Sequence, residues 1–281
     1  MAPPQNGQRA RWIIFALVAA CGIAPLYLHF DQPGFKSKVV TGLYDTLEAL
    51  PAGSPVLLAF DFGPDTEAEV GPMARALLRH CFRRDLRVIA LTFTGPLSVT
   101  MEESIIPGIA EEAGKEEGKD FAILGFRPNM LAGLITMGQD FHLIYPEDHR
   151  KRRCQDLPVF QGIRSLKDMA LVVDLTASAT VDTWIVIGHE RSGFPLGLGC
   201  TAVMAADYYP YLQSRQLVGM MGGLSGVYQY EHLVSRKGDP EGGAMKAMRP
   251  QSVIQTLIVL LIVIGNVLYF RTRRRPAGGA P

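Results

Sequence analysis

Two apolar runs bracket this chain. Trp12 to Phe30 contains no Asp, Glu, Lys or Arg, and Val253 to Phe270 is a second such run, stopped by Arg271, Arg273, Arg274 and Arg275. Crossing the roughly 30 Å hydrocarbon layer of a bilayer as a helix takes about 20 apolar residues. Both runs are near that length, so roughly 220 residues between them form a segment tethered at both ends. The expected division is a cytoplasmic N-terminus over 1–11, a transmembrane helix over 12–30 and an α/β domain over 31–251. A second transmembrane helix follows over 252–270, with a basic cytoplasmic tail over 271–281.

Basic residues beside a span tend to stay cytoplasmic. Arg9 and Arg11 precede the first run and four arginines follow the second, which predicts a two-pass protein of the cell membrane with both termini cytoplasmic and the middle domain outside. Lys36, Lys38, Lys246 and Arg249 lie at the ends of the middle segment and weaken that asymmetry. The first run has rival readings as a cleaved signal peptide or as a lipobox, Val18-Ala19-Ala20-Cys21, whose cysteine would carry lipid. Its length, and the apolar stretch that continues past Cys21, favour an uncleaved anchor. Two such helices enclose no evident transport pathway within a single chain.

Charge narrows the partners. Six of the 28 basic residues are the terminal arginines, leaving 22 against 27 acidic residues, all of which lie in the middle segment; its net charge is −5. Nucleic-acid binding needs clustered Lys and Arg and is not expected. The one basic cluster, Arg150 to Arg153, reads as a solvated loop. Cys81, Cys154 and Cys200 have no metal or redox spacing, and the six histidines are scattered, so no metal site is expected and no cofactor is indicated.

Between the runs, short apolar stretches alternate with amphipathic ones. Val56 to Phe60, Leu86 to Phe93, Phe121 to Gly125, Ala170 to Leu175 and Leu196 to Met204 read as strands covered on both faces. Helices are expected over Phe35 to Leu50, Thr66 to Arg84, Thr100 to Gly118 (broken near Pro107-Gly108), Met130 to Met137, Ala179 to Arg191, Tyr208 to Leu212 and Leu217 to Val234. Gly138 to Gln161 reads as an irregular surface excursion, and Lys237 to Met248 as a Gly-rich linker. The pattern predicts a single Rossmann-like α/β domain with a mainly parallel sheet of about five strands, flanked by one N-terminal and one C-terminal transmembrane helix.

In such sheets ligands bind beyond the carboxyl ends of the strands. Those ends supply Asp61 and Asp65, Arg127, Asp174, Thr176 and Ser178 as candidate ligand-binding residues. Asp61 and Asp174 each end an apolar strand. Held close, they raise one another's proton affinity, with Arg127 as counter-charge. The alternative role for these aspartates is to cap helices and fix loops, and Asp65, Thr66, Thr176 and Ser178 read as helix caps too. An anion at the helix start behind Thr176 and Ser178 is a further reading.

Several motifs fail on context. Gly197-Leu198-Gly199-Cys200-Thr201-Ala202 fits a dinucleotide fingerprint but falls in a strand rather than a first β–α turn. His189-Glu190 lacks the second histidine of a zinc helix. Gly222 and Gly226 have the spacing of closely packed helices and read as tight packing within the domain, against the alternatives of an oligomer contact or a flexible glycine loop that clasps a ligand; the neighbouring Tyr208, Tyr209, Tyr211, Tyr228 and Tyr230 favour a partner or headgroup contact.

Ser165 to Asp168, Val172 to Leu175 and Tyr208 to Glu231, with its Tyr-Leu-Gln-Ser and Gly-Gly-Leu-Ser-Gly, resemble an uncharacterised family of prokaryotic membrane-anchored α/β proteins. The resemblance implies placement and no activity. The alternating strand–helix start is also similar to signal-peptide peptidases of the ClpP-like fold, which use Ser and Lys. That similarity implies Lys167 with Ser165 or Ser178. Two functions remain: a membrane-surface component that binds a partner or ligand and assembles as a homo-oligomer or with a membrane protein, and a membrane-tethered hydrolase or transferase with its site at the strand ends.

Overall fold

The computed structural model describes residues 5–28, 37–236, 239 and 242–273. In chain order the elements are α1 (Gln5–Tyr27), α2 (Lys38–Glu48), β1 (Pro55–Asp61), α3 (Glu67–Arg83), β2 (Arg87–Thr92), α4 (Pro96–Glu112), β3 (Phe121–Phe126), α5 (Met130–Met137) and α6 (Phe141–Ile144). After three short 3-10 turns come β4 (Leu171–Thr176), α7 (Thr180–Thr183), a π-helical stretch (Trp184–His189), α8 (Glu190–Ser192), β5 (Leu196–Cys200), α9 (Ala202–Gln213), β6 (Gly219–Gly222), α10 (Gly223–Val234) and α11 (Gly243–Arg273). Contacts divide the chain into two units, one of Met1–Pro33 with Met245–Pro281 and one of Gly34–Ala244.

The larger unit is an α/β domain with a six-stranded sheet, ordered β3-β2-β1-β4-β5-β6, in which every pairing is parallel. The strand order is Rossmann-like and turns around between β1 and β4. The central strands are continuous apolar runs because both faces are covered, and Val56, Leu57, Leu58, Ala59 and Phe60 are wholly buried. Each Leu or Phe so buried contributes about 1.5–3 kcal/mol before entropy is counted. One face packs on α2, α3 and α10, with Leu43 and Met73 lying against Gly197 and Gly199. The other face carries Leu57, Ala59, Leu91, Val172 and Leu198 in a core completed by Phe93, Phe141, Tyr145, Phe160 and Trp184.

The sixth strand corrects the sequence reading, in which Leu217 to Val234 is one helix. Gly219–Gly222 pairs with β5 before α10 begins. Gly219 is required there, since a methyl group in its place would strike the backbone of Leu43 on α2. Other elements shift in detail. The fourth helix starts at Pro96 and runs through Pro107 without a break, and the stretch after β4 becomes a short helix and a π-helix. Phe35 and Lys36 of the expected juxtamembrane helix, and several residues of the Gly-rich linker, lie outside the described residues.

In the smaller unit Gly22 of α1 lies against Ile254 of α11. One helix, Gly243–Arg271, is long and apolar enough to cross a membrane, with a mean hydropathy of 2.4 in its most apolar window and none of that window buried. A core helix of the same composition would be covered by protein. The first run is shorter than expected. Its apolar helix is Arg11–Tyr27, about 26 Å at 1.5 Å per residue, and Phe30 lies outside the described residues.

Candidate functional site

Asp61 is the last residue of β1, and Asp174 lies in the adjacent β4. The register pairs Ala59 with Asp174 and Asp61 with Thr176. Paired residues of parallel strands share a face, as do residues two apart, so Asp61, Asp174 and Thr176 project to one side of the sheet. They meet where the strand order turns around. Both carboxyls are buried, Asp61 at 1% exposure and Asp174 at 0%.

Each carboxyl has one oxygen engaged by the fold and one without a hydrogen-bond partner. Asp61 Oδ1 accepts from the Phe93 backbone N–H at 2.7 Å and from the Thr92 hydroxyl at 3.0 Å. Asp174 Oδ2 accepts from the Thr180 hydroxyl at 2.9 Å. Asp61 Oδ2, Asp174 Oδ1 and the indole Nε1 of fully buried Trp184 have no partner of normal geometry, although the indole is close enough to Asp61 to favour its charged form. Asp61 therefore caps no helix; it ties the end of β2 to β1.

Among the described residues no cationic side chain offsets the pair. Burial raises the pKa of Asp61, opposed by hydrogen bonds from Phe93 and Thr92. Burial, and then the negative charge of Asp61, hold Asp174 well above the usual carboxylate range. Asp61, with two strong donors, is the better anion of the two, and Asp174 the stronger holder of a proton.

Hydroxyls connect this pair to the surface on both sides. Thr92 contacts exposed Thr94 at 3.1 Å, and Thr94 contacts Ser98 at 2.9 Å. On the β4 side the Thr180 hydroxyl oxygen lies 2.8 Å from that of Thr176, and Thr176 lies 3.2 Å from the hydroxyl of exposed Ser178.

Other expected residues fall elsewhere. Arg127 is not a counter-charge to the pair. Its guanidinium lies over the Tyr145 ring at 5.3 Å and its Nε donates to the Ile144 carbonyl. Asp65 is exposed with its carboxylate turned back toward Gly63, and the Thr66 hydroxyl makes no capping bond. Thr176 and Ser178 do not cap α7, whose N-cap is Ala179. Instead Thr176 Oγ1 accepts from the Ser178 N–H at 2.9 Å. The helix start expected to hold an anion is a single turn. Lys167 and Ser178 stand at opposite ends of β4, roughly 20 Å of strand apart. Ser165 is occupied in a capping box with Asp168.

Glu102 is the residue that sequence reasoning missed. It is wholly buried on α4 and neither carboxylate oxygen has a hydrogen-bond partner of normal geometry. Burial, then the charges of Asp61 and Glu103, push its pKa well up. Tyr145 accompanies it, buried with an unpartnered hydroxyl and a pKa raised by burial and then by Glu102. The available signal was spacing. Glu102 sits on the same stripe as Ser98, Ile105, Ile106 and Ile109.

The remaining clusters are structural. Arg150 and Arg152 are drawn onto Glu117 at 2.7 and 2.6 Å, and Asp148 binds Arg152. Gly222 packs against Ala205 and Gly226 against Met221, so the glycine pair serves internal packing. Tyr208, Tyr228 and Tyr230 are buried. Gly197 and Gly199 lie inside β5, where they admit Leu43 of α2 and Met73 of α3. Cys81, Cys154 and Cys200 are free and buried, each thiol pushed up to about 12, chiefly by burial. Among the described residues no group of three His, Cys, Asp or Glu is arranged to hold a metal ion. Two cavities, of about 430 and 590 Å³, open away from the carboxyl pair. Comparison with protein-family models, with curated proteins and with solved structures gives no match to this chain.

Proposed function

We propose that this protein is a membrane-anchored α/β domain that acts at the membrane surface, binding a small polar ligand or a protein partner over the C-terminal ends of β1 and β4. One observation carries the reading: the β1–β4 junction holds a buried carboxyl pair connected through hydroxyls to exposed Thr94 and Ser178. Open parallel sheets bind ligands at this place, and a buried pair without a counter-charge is retained at a cost that function can justify. The apolar helix Gly243–Arg271 supports the anchor, and the arginines outside the two runs support two passes with the termini cytoplasmic and the domain outside. A membrane-protein partner or a second copy remains part of the proposal, without the Gly222–Gly226 stripe as its contact. Nucleic acid does not fit a domain of net charge −5 whose arginine cluster is taken up by Glu117 and Asp148.

A second reading, a membrane-tethered hydrolase or transferase, is favoured by the same pair. Asp174 can release a proton while Asp61 accepts one, the division of labour that acid–base catalysis uses. In both readings the ligand meets the hydroxyls first.

The test is purification of the full chain from native membranes in non-ionic detergent, with mass spectrometric identification of what accompanies it. Ser178→Trp, at an exposed rim position, is expected to lose the bound species while keeping its circular dichroism. Equal recovery from wild type and variant sinks the site.

A further inference from the structure

The C-terminal ends of α3, α4 and α10 converge, away from the carboxyl pair, on a cavity of about 430 Å³. That volume lies within the range of small-molecule sites, roughly 300–1,000 Å³. Phe82 and Ile109 give it an apolar floor. Two ion pairs stand on its lining, Arg79 with Glu112 at 3.1 Å and Arg83 with Asp239 at 2.8 Å. The acids are partly open to solvent, with side-chain exposures of 58% for Glu112 and 31% for Asp239, so each pair can exchange partners. Arg83 is also fixed by the Val234 carbonyl.

This charge layout selects among ligands. A singly charged molecule that captures one member of a pair leaves the other uncompensated beside apolar surface, which is costly. A molecule carrying both signs can exchange with both members and leave no charge unpaired. The floor then takes its hydrocarbon part. We propose that this cavity binds a zwitterionic amphiphile, a molecule with an ammonium and an anionic group on an apolar body. Gly242 of the lining immediately precedes α11 in the chain. A phospholipid of the bilayer and a soluble zwitterion with a short apolar body share this chemistry.

The experiment is titration calorimetry on the full chain in a maltoside detergent. The probes are dihexanoylphosphocholine, phosphocholine, hexyl sulfate and hexyltrimethylammonium. Dihexanoylphosphocholine is expected to bind saturably, and each of the others at least about tenfold more weakly. Ala113→Trp, an exposed position on the cavity lining, should lower its affinity by about tenfold or more with unchanged circular dichroism. Arg79→Met, which leaves Glu112 unpaired, should shift preference toward hexyltrimethylammonium, a change that mere loss of structure would not produce. A bilayer source is separated from a soluble one by lipid analysis of the purified chain, where retained zwitterionic lipid assigns the bilayer and its absence alongside calorimetric binding assigns a soluble ligand. Absent saturable binding, equal binding in Ala113→Trp, or equal affinity for phosphocholine alone or for a singly charged probe would overturn the proposal.

Discussion

Replacing Asp174 with Asn tests whether a proton is stored at the strand junction. In the folded protein, burial and the charge of Asp61 hold the Asp174 proton well above the ordinary carboxylate range. In the unfolded chain the same group has a pKa near ~3.9 and is ionised at neutral pH. The folded state therefore binds one more proton across the window between those two values. A raised carboxyl contributes stability that is fully present below the unfolded pKa and is lost as pH rises toward the folded one. Linkage sets the loss at about 1.4 kcal/mol per pH unit. Asn has the same shape, can donate to Asp61 Oδ2 and can accept from Thr180, but does not titrate. As pH rises above the unfolded value the wild type should lose stability through this proton, with a slope of at most about 1.4 kcal/mol per pH unit, and Asp174→Asn should not. Glu102 titrates in both proteins and cancels from the difference. Urea unfolding of the full chain in non-ionic detergent can be followed by the fluorescence of Trp184, since the only other tryptophan, Trp12, lies in the apolar helix α1. Parallel pH profiles for wild type and variant would refute the reasoning, because they would mean that Asp174 is ionised when folded.

His80 bridges α2 and α10 through Glu48 at 2.8 Å and Tyr230 at 2.7 Å, so His80→Ala should cost about 2–3 kcal/mol in urea unfolding. Burial lowers the His80 pKa, so its contribution is present above about pH 6.5 and is lost as pH falls through the lower folded value. His80→Gln should flatten that acid-side decline. Gly219→Ala should destabilise by about 1–3 kcal/mol because the methyl group meets the backbone of α2, whereas Gly108→Ala, exposed on α4 with open space around it, should stabilise by about 0.5–1 kcal/mol; melting temperatures of the two variants should move in opposite directions. Glu117→Ala removes the acceptor shared by Arg150, Arg152 and His149, and limited trypsinolysis should then cut at Arg150 or Arg152 well before it cuts the wild type.

Much of the α/β framework was legible because strands covered on both faces are continuous apolar runs. Val56 to Phe60 and Leu171 to Thr176 stand out against the amphipathic helices around them. The sixth strand was not, because Gly-Met-Met-Gly has no β-branched residue and merges with the apolar start of α10. Asp61 and Asp174 could be named from their positions at strand ends, since parallel order alone brings such ends together. Their surroundings were only partly readable. The sequence offered Arg127 as a counter-charge, whereas the fold directs that guanidinium to Tyr145, a residue in a stretch without periodicity. Glu102 was hidden among the charges of its helix, although its spacing put it on the apolar stripe. Thr180 escaped notice because a hydroxyl's partner is fixed by tertiary geometry rather than by local pattern.

The central claim is that the C-terminal ends of β1 and β4 are where this protein meets its ligand or partner. Site-directed photocrosslinking in native membranes tests it most directly, with the probe placed in turn at Thr94, at Ser178 and at Lys119 just before β3, at the opposite end of the sheet. The account predicts a discrete adduct from Thr94 and Ser178, none from Lys119, and competition between the two rim positions for the same species. Adducts of equal yield from all three positions, or from Lys119 alone, would contradict it.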